Sequence, residues 1–594
     1  MLVLLAAVAP LIVRNSFYLY LVQVICVYTV ACIGLNLLSG HAGLMSFGHG
    51  GLFAVGAYAL AIPVVDLGWP WPVAFGIAAA ASVVAGLLLG IPSLRVRSYY
   101  LALVTLAFGI LVEQWLIEWS DLTGGWNGVS GITHPGSSIR VGVVDGFYYL
   151  IVGATAAAYL LSRNLVASRW GRRLVCIRDG EVVAGALGVD AYRTKLTVFV
   201  LSAVYAGVGG ALYAGLIGFI SPDSFRVDLS IFFFLSIVVG GLGSLAGPLI
   251  GVGLLFLIPQ VLLVGLQNYR LLAYGALTIV IAILLPEGIT GALRKRFGRA
   301  TSPGVAPTEP GAVALASAGD APEGAGRPVL RVERVSKRFF GVQALAEVSL
   351  DVESRQCCGI IGPNGSGKTT LLNVISGLYP PDSGRVWLGA RRIDRVPAHR
   401  IVRMGVSRTF QTPRLFGDLT VDENIMLGCD IHDRASIVEC MLRLPRARRE
   451  EVRARQRAAA LSSFVGLEDQ GATVARTLPH GYQRLVELGR ALASRPRLLL
   501  LDEPAAGLTA GEIRHFGTLL AQIVHGGSSV VLIEHRVDLV VAAAHLVVVL
   551  DSGRRIAGGV PDQVVRDPTV IEAYLGAAGT RELPFLEGSH ARGG

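Results

Sequence analysis

Charge is scarce in this chain. Only 16% of its 594 residues are Asp, Glu, Lys or Arg, against 53% hydrophobic residues. An ordinary soluble protein carries about 25% charged residues, so a wholly soluble chain is excluded, and the mean hydropathy of +0.58 agrees. Cysteine is scarce too. The seven cysteines (Cys26, Cys32, Cys176, Cys357, Cys358, Cys429, Cys440) are odd in number and show no metal-ligand spacing. The adjacent Cys357 and Cys358 lie in an apolar run and read as a buried strand. A basic stripe interleaved with aromatics is missing, so the net charge of +10 does not point to nucleic acid. The start, "MLVLLAAVAPLIVR", lacks a basic leader and reads as a first membrane segment rather than a cleaved signal.

What charge there is lies unevenly. Residues 1–290 are long uncharged runs, and 327–594 reads as an ordinary soluble sequence. The length fits two or more domains. The expected division is a membrane domain at 1–299, a flexible Pro/Ala/Gly-rich linker at 300–326 and a soluble domain at 327–594. Apolar runs at 2–13, 17–38, 43–65, 71–91, 99–117, 146–162, 197–220, 228–242, 246–265 and 269–286 predict about eight to ten spans of a polytopic α-helical bundle. Basic residues cluster at 92–98, 163–195 and 294–296, which places those loops and the soluble domain on the cytoplasmic side.

Two stretches, "GHAGLMSFGHGGLFAVGAY" and "GGLGSLAGPLIGVG", are dense in glycine. Small residues let helix backbones approach in lipid. Broken helices lining a path are the alternative, since irregular backbone at membrane depth is tolerated only where buried or wet. His49 and Glu113, polar groups in apolar runs, are the candidate path-lining residues, and His41 is a weaker one; the rival readings are a neutral His set against a neighbouring helix and a Glu113 that simply reaches the interface. Segment 169–195 is charged with a helical pattern. Leu174, Ile177, Val182 and Leu187 form its expected apolar face, and it reads as a docking helix for the soluble domain, with an interfacial amphipathic helix as the rival reading.

In the soluble domain, Gly362–Thr369 reads G-x-x-x-x-G-K-T between an apolar run and a helical pattern. This predicts a phosphate cradle in an α/β P-loop NTPase. Gly362, Pro363, Asn364, Gly365, Ser366 and Gly367 wrap the phosphates and Thr370 follows in the helix. Lys368 is expected on the β- and γ-phosphates and Thr369 on Mg²⁺. "RLLLLDEP" ends a strand run in Asp502, a Mg²⁺ ligand, and Glu503, which accepts a proton from water or orients it. Gln411 in "SRTFQTP" is placed to contact Mg²⁺ and the water, and His535 in "VVLIEHR" to bond the γ-phosphate. Phe339 or Phe340 is a candidate to stack on adenine, with core packing as the rival reading.

These motifs, in this order, make residues 328–576 resemble the ATPases of ABC transporters. The strings "DEPAAGLTAGE", "LIEH" and "VVRDPTVIEAYLG" resemble the ATPase of branched-chain amino acid importers in particular. The membrane half resembles the permease of that family in "IGLNLLSGHAGLMSFGHGGLFAVGAY", "TGGWNGV" and "IVVGGLGSLAGPLIG". "IRDGEVVAGALGV" resembles its coupling loop, with Glu181 and Gly188 in the familiar positions. The resemblance implies a fused permease and ATPase in a bacterial inner membrane, with the ATPase domain cytoplasmic, using ATP and Mg²⁺ to import branched-chain or related amino acids. It also implies three partners: a second permease, a second ABC ATPase and an extracytoplasmic solute-binding protein. Urea, short amides or aromatic acids are alternative solutes. An exporter fits poorly because the cytoplasmic loops are short. An ATP-driven regulator that moves no solute fits poorly with so many spans.

The family signature usually reads Leu-Ser-Gly-Gly-Gln. Here the stretch is Leu478, Pro479, His480, Gly481, Tyr482 and Gln483. Leu485, Leu488 and Leu492 continue with helical spacing, so the stretch is expected to open a helix with Pro479 in its first turn. It is expected to act in trans on the partner's ATP without the serine hydroxyl. Thr509, where many such ATPases place Asp, is a second departure.

Overall fold

The computed structural model describes residues 2–13, 15–96, 98–135, 140–141, 144–258, 260, 272, 275–276, 279–280, 283–285, 287–297 and 328–575. The expected linker at 300–326 and most of the apolar run 269–286 lie outside them. The chain forms two compact units. One comprises Met1–Asp179, Ala191–Ala300 and Ser436–Leu444; the other comprises Gly180–Asp190, Thr301–Ala435 and Pro445–Gly594.

The first unit is mainly helical. Among the described residues, five helices are long and apolar enough to cross a membrane: Ser16–His41, Trp71–Ser93, Tyr100–Glu118, Gly146–Val166 and Ala191–Ile217. His49–Val65 and Gly247–Leu257 are shorter apolar helices. Glycine density serves close packing here. A Cβ on Gly56 would collide with the backbone of Gly207, and one on Gly251 with the carbonyl of Ser236.

The run expected to be helical from 43 starts only at His49; Gly43–Gly48 is irregular. Side chains satisfy the backbone freed there. Phe47 N donates to Thr105 Oγ1 at 3.0 Å and Gly50 N to Ser230 Oγ at 2.9 Å. Asn36 clamps a second break, accepting from Gly243 N at 2.9 Å and donating to Ser244 O at 2.8 Å. Without these partners each orphaned group would cost several kcal/mol in apolar surroundings.

The single docking helix expected over 169–195 is instead two helices, Arg169–Asp179 and Glu181–Ala186, separated at Gly180; Ala191 onward already belongs to the next long helix. Its apolar face is also corrected: Leu174, Ile177 and Leu187 are buried, but Val182 is 54% exposed and Val183 takes the inward position. A break at Gly180 rotates the residues after it out of the earlier helical phase.

In the second unit a six-stranded sheet runs in the order Val406–Arg408, Leu498–Asp502, Ser529–Ile533, Cys357–Ile361, Leu546–Asp551, Arg554–Gly559. All neighbours pair in parallel except the last two strands, which are antiparallel. The strands Cys357–Ile361, Leu498–Asp502 and Ser529–Ile533 are buried along their whole length and apolar along nearly all of it, and the short Val406–Arg408 is buried too. Continuous apolar runs are what a parallel sheet covered on both faces requires. Leu330–Phe339 and Val342–Val352 form an antiparallel pair that continues through Ser383–Leu388 into a second, four-stranded sheet.

A candidate nucleotide site at the strand ends

The parallel strands bring the predicted residues together. Gly362, Glu503, His535 and Gln411 each follow the C-terminal end of a strand, where open α/β sheets bind ligands. The cradle turns through Gly362, Gly365 and Gly367 at φ of +151°, +81° and +98°. A side chain on Gly362 would also strike the carbonyl of Leu550. Lys368 opens the helix Lys368–Ile375. Its Nζ lies on the carbonyls of Gly362 and Pro363, both at 2.8 Å, and near Ser366 Oγ at 3.4 Å. Burial lowers its pKa, opposed by Glu503 and Asp502. A buried cation beside a glycine-rich turn at a helix N-terminus can receive a polyanionic phosphate.

Asp502 is buried, with Thr369 Oγ1 at 3.4 Å from Oδ1 and the Arg408 guanidinium at 3.0 Å from Oδ2. Burial pushes its carboxyl up, against the pull of Arg408 in the opposite direction. Arg408 is itself tied to Asn373 and Ser376 Oγ, at 2.5 and 3.1 Å. Glu503 sits in the left-handed region at φ +49°, with its N–H on Ile533 O at 2.9 Å. Such a conformation in a non-glycine residue is held only by its surroundings. It directs the carboxylate to Gln411 Nε2 at 3.0 Å and His535 Nε2 at 2.8 Å. Thr369, Gln411 and Asp502 supply hydroxyl, amide and carboxylate oxygens. Such hard donors suit Mg²⁺, which keeps several waters and phosphate oxygens in its shell.

The loop carrying Gln411 is strapped to the signature helix, His480–Ala493. Arg484 donates to Phe410 O at 3.0 Å and to Gln411 O, and Phe410 N donates to Glu487 Oε1 at 3.1 Å. Pro479 sits one residue earlier than expected, at the N-cap, with φ −56° and ψ 152° and no side-chain cap bond. Gln483 N returns to Pro479 O at 3.1 Å. A Cβ at Gly481 would lie 2.7 Å from Glu512 Oε1, the end of a partly exposed side chain. Thr509 caps the helix Ala510–His525 and shares a reciprocal capping box with Glu512. This gives the departure at Thr509 a structural job.

Phe339 packs edge-on against Tyr379 at 5.3 Å, while Phe340 is fully exposed at φ +46°. Gly188, at φ +82°, is buried among residues of its own unit. Its carbonyl accepts from Arg403 Nη2 at 3.3 Å, and Asp190 lies 3.7 Å from His399. Glu181 begins the helix Glu181–Ala186 on an exposed position. In the helical unit, His49 is buried with both ring nitrogens engaged, by Ser202 Oγ at 2.6 Å and Ser46 Oγ at 3.2 Å. Glu113 lies 3.8 Å from Arg226.

Sequence reasoning missed Arg408, Glu534 and Tyr574. Glu534 is buried and accepts from Ala505 N at 2.7 Å, bracing the turn after Glu503. Tyr574 Oη accepts from Gly362 N at 2.7 Å. An arginine ending a strand run, in "VSR", was the available signal for the first. The other two carry none beyond their strings.

Comparison with known proteins bears on both units. A family model described as the branched-chain amino acid transport system permease component matches residues 17–282. One described as ABC transporter matches 345–506, and one described as branched-chain amino acid ATP-binding cassette transporter matches 554–580. The high-affinity branched-chain amino acid transport ATP-binding protein BraF of Pseudomonas aeruginosa is 40% identical over 42% of this chain and 99% of its own length. LivG of Escherichia coli strain K12, which carries the same description, is 36% identical over the same shares. A nucleotide-free ATP-binding cassette from an ABC transporter is 33% identical, covering 42% of this chain and 99% of its own, with a TM-score of 0.38. A membrane-embedded permease and an ATP-hydrolysing cassette thus occupy one polypeptide, and the chain belongs to the branched-chain amino acid ABC transporter family.

Proposed function

We propose that this chain is the fused permease and ATPase of an importer of branched-chain or related amino acids in a bacterial inner membrane. The membrane domain spans 1–299, the linker 300–326 and the cytoplasmic ATPase domain 327–594. The observation that carries the reading is the convergence of Lys368, Thr369, Gln411, Asp502, Glu503 and His535 at adjacent strand ends, each with a charge or hydrogen-bonding partner suited to triphosphate chemistry.

In this reading Gly362–Thr370 cradles the phosphates and Lys368 leaves the carbonyls of Gly362 and Pro363 for them. Phe339, next to the exposed Phe340, stacks on adenine. Thr369, Gln411 and Asp502 would hold Mg²⁺, which when bound would neutralise developing phosphate charge. Glu503 accepts the proton of the attacking water. Gln411 and His535 fix its carboxylate from both sides, and His535 reaches the γ-phosphate. The signature Leu478–Gln483 completes the site of an opposing ATPase, so the working assembly includes a second permease and a second ATPase, with a solute-binding protein outside. Glu181 and Gly188 transmit ATPase closure to the spans, a role supported by the packing of Gly180–Asp190 within the ATPase unit. ATP does work only by favouring the closed pair over the open one. His49 and Glu113 stand as path-lining proposals; the bonding of His49 suits a residue that holds helices in place as the path changes.

Affinity purification of the chain tests the assembly. A permease, an ATPase and a binding protein should co-purify, and leucine, isoleucine or valine should raise the melting temperature of that binding protein. A binding protein stabilised only by urea, short amides or aromatic acids would overturn the solute assignment. A chain that purifies with no permease or ATPase partner would overturn the heteromeric assembly.

A further inference from the structure

The last described helix, Pro568–Leu575, reaches back to the phosphate loop. Gly362 is buried and lies just past the final ladder pair of its strand, Ile361 with Val549. Its N–H therefore has no strand partner, and the Tyr574 hydroxyl supplies one at 2.7 Å. The carbonyl of the same residue receives Lys368 Nζ at 2.8 Å. One phenol and one ammonium thus grip the two sides of Gly362, a residue whose φ of +151° and crowding by Leu550 already restrict it.

We propose that Tyr574 is a positioning residue for ATP: by holding the Gly362 N–H it fixes the first turn of the phosphate loop and the seat from which Lys368 engages the phosphates. The inference rests on the reading of Gly362–Thr370 as the phosphate cradle. Tyr574 is anchored for the task. Val570, on the same helix, is buried in the core that also contains Leu499 and Leu501, and the helix lies against the strand Arg554–Gly559. Burial pushes the Tyr574 phenol above its usual range, so the group is neutral at any working pH. Loss of the hydroxyl leaves the buried Gly362 N–H without its partner and frees the loop to rotate. Both effects fall on nucleotide binding rather than on the proton transfer at Glu503.

The test uses the full chain in lipid nanodiscs, with AMP-PNP and Mg²⁺ as the binding probe and steady-state hydrolysis with ATP. Tyr574→Phe should weaken AMP-PNP binding about two- to twelve-fold, the size of one hydrogen bond. It should raise KM for ATP in proportion and leave kcat within about two-fold. Val570→Ala, which loosens the same helix without touching the hydroxyl, should lower the melting temperature and leave the AMP-PNP Kd within about two-fold. Unchanged affinity in Tyr574→Phe overturns the inference. So does a Val570→Ala chain whose affinity falls as far as that of Tyr574→Phe, since the helix would then act only as scaffold. Lys368→Ala separates the two readings: it should abolish binding, and if it binds normally the cradle assignment fails and this inference with it.

Discussion

Replacing Pro479 with serine restores the usual family residue at the tip of the signature helix. The structure lets the consequence be worked out. Pro479 occupies the N-cap with extended backbone angles and no side-chain cap. A serine there can accept from the N–H of Gly481 or Tyr482, worth about 1 kcal/mol. Loss of the proline costs about 0.4–1 kcal/mol through the freer unfolded chain. The two nearly cancel, so the melting temperature should move by a degree or two at most. The hydroxyl has one donor left after accepting from the helix. Directed at a γ-phosphate in the opposing site, that donor adds a hydrogen bond to a charged group, worth roughly 1.5–3 kcal/mol. Measured in assembly with the partner ATPase, Pro479→Ser should lower KM for ATP by about ten-fold or more and leave kcat unchanged or raised. A collapse of hydrolysis with normal melting would refute the reasoning, because it would mean that proline itself shapes the signature.

Three further outcomes are expected. Arg408→Met strands the buried Asp502 carboxylate, which should cost about 3–5 kcal/mol; the ATPase domain should melt several degrees lower and lose hydrolysis, and wild-type melting would contradict the buried pair. Glu503→Gln should keep ATP binding and cut hydrolysis about 10²–10⁴-fold, so retained turnover would move the general base elsewhere. Gly188→Ala forces a side chain onto φ +82° with its Cβ 2.5 Å from Ile431 Cγ2, a strain of about 1–2 kcal/mol; solute uptake should fall while hydrolysis persists, and loss of both in parallel would argue against a coupling role.

The sequence made some parts of this molecule legible and hid others, for physical reasons. Gly362–Thr369, Asp502–Glu503 and His535 were readable because each follows a continuous apolar run, and such runs become the buried parallel strands whose ends converge. Cys357 and Cys358 were readable as core for the same cause. Gln411 follows the short strand Val406–Arg408 and was readable only in the company of those motifs. The apolar helices were readable from composition, but the irregular stretch Gly43–Gly48 was not: its residues are as apolar as a helix, and the break depends on Thr105 and Ser230 from distant helices. The split of 169–195 at Gly180 was similarly hidden, because one glycine inside a helical pattern is often tolerated. Arg408 and Tyr574 act through partners 94 and 212 positions away in sequence. Such pairings are set by the fold and leave no local period.

The most direct test of the central claim is uptake. The chain, its co-purifying permease and ATPase, and the binding protein should be reconstituted in proteoliposomes loaded with ATP and Mg²⁺. Labelled leucine, isoleucine or valine should accumulate inside only with ATP, and the Glu503→Gln chain should abolish accumulation. Stimulated hydrolysis with no uptake of any branched-chain amino acid would contradict the account.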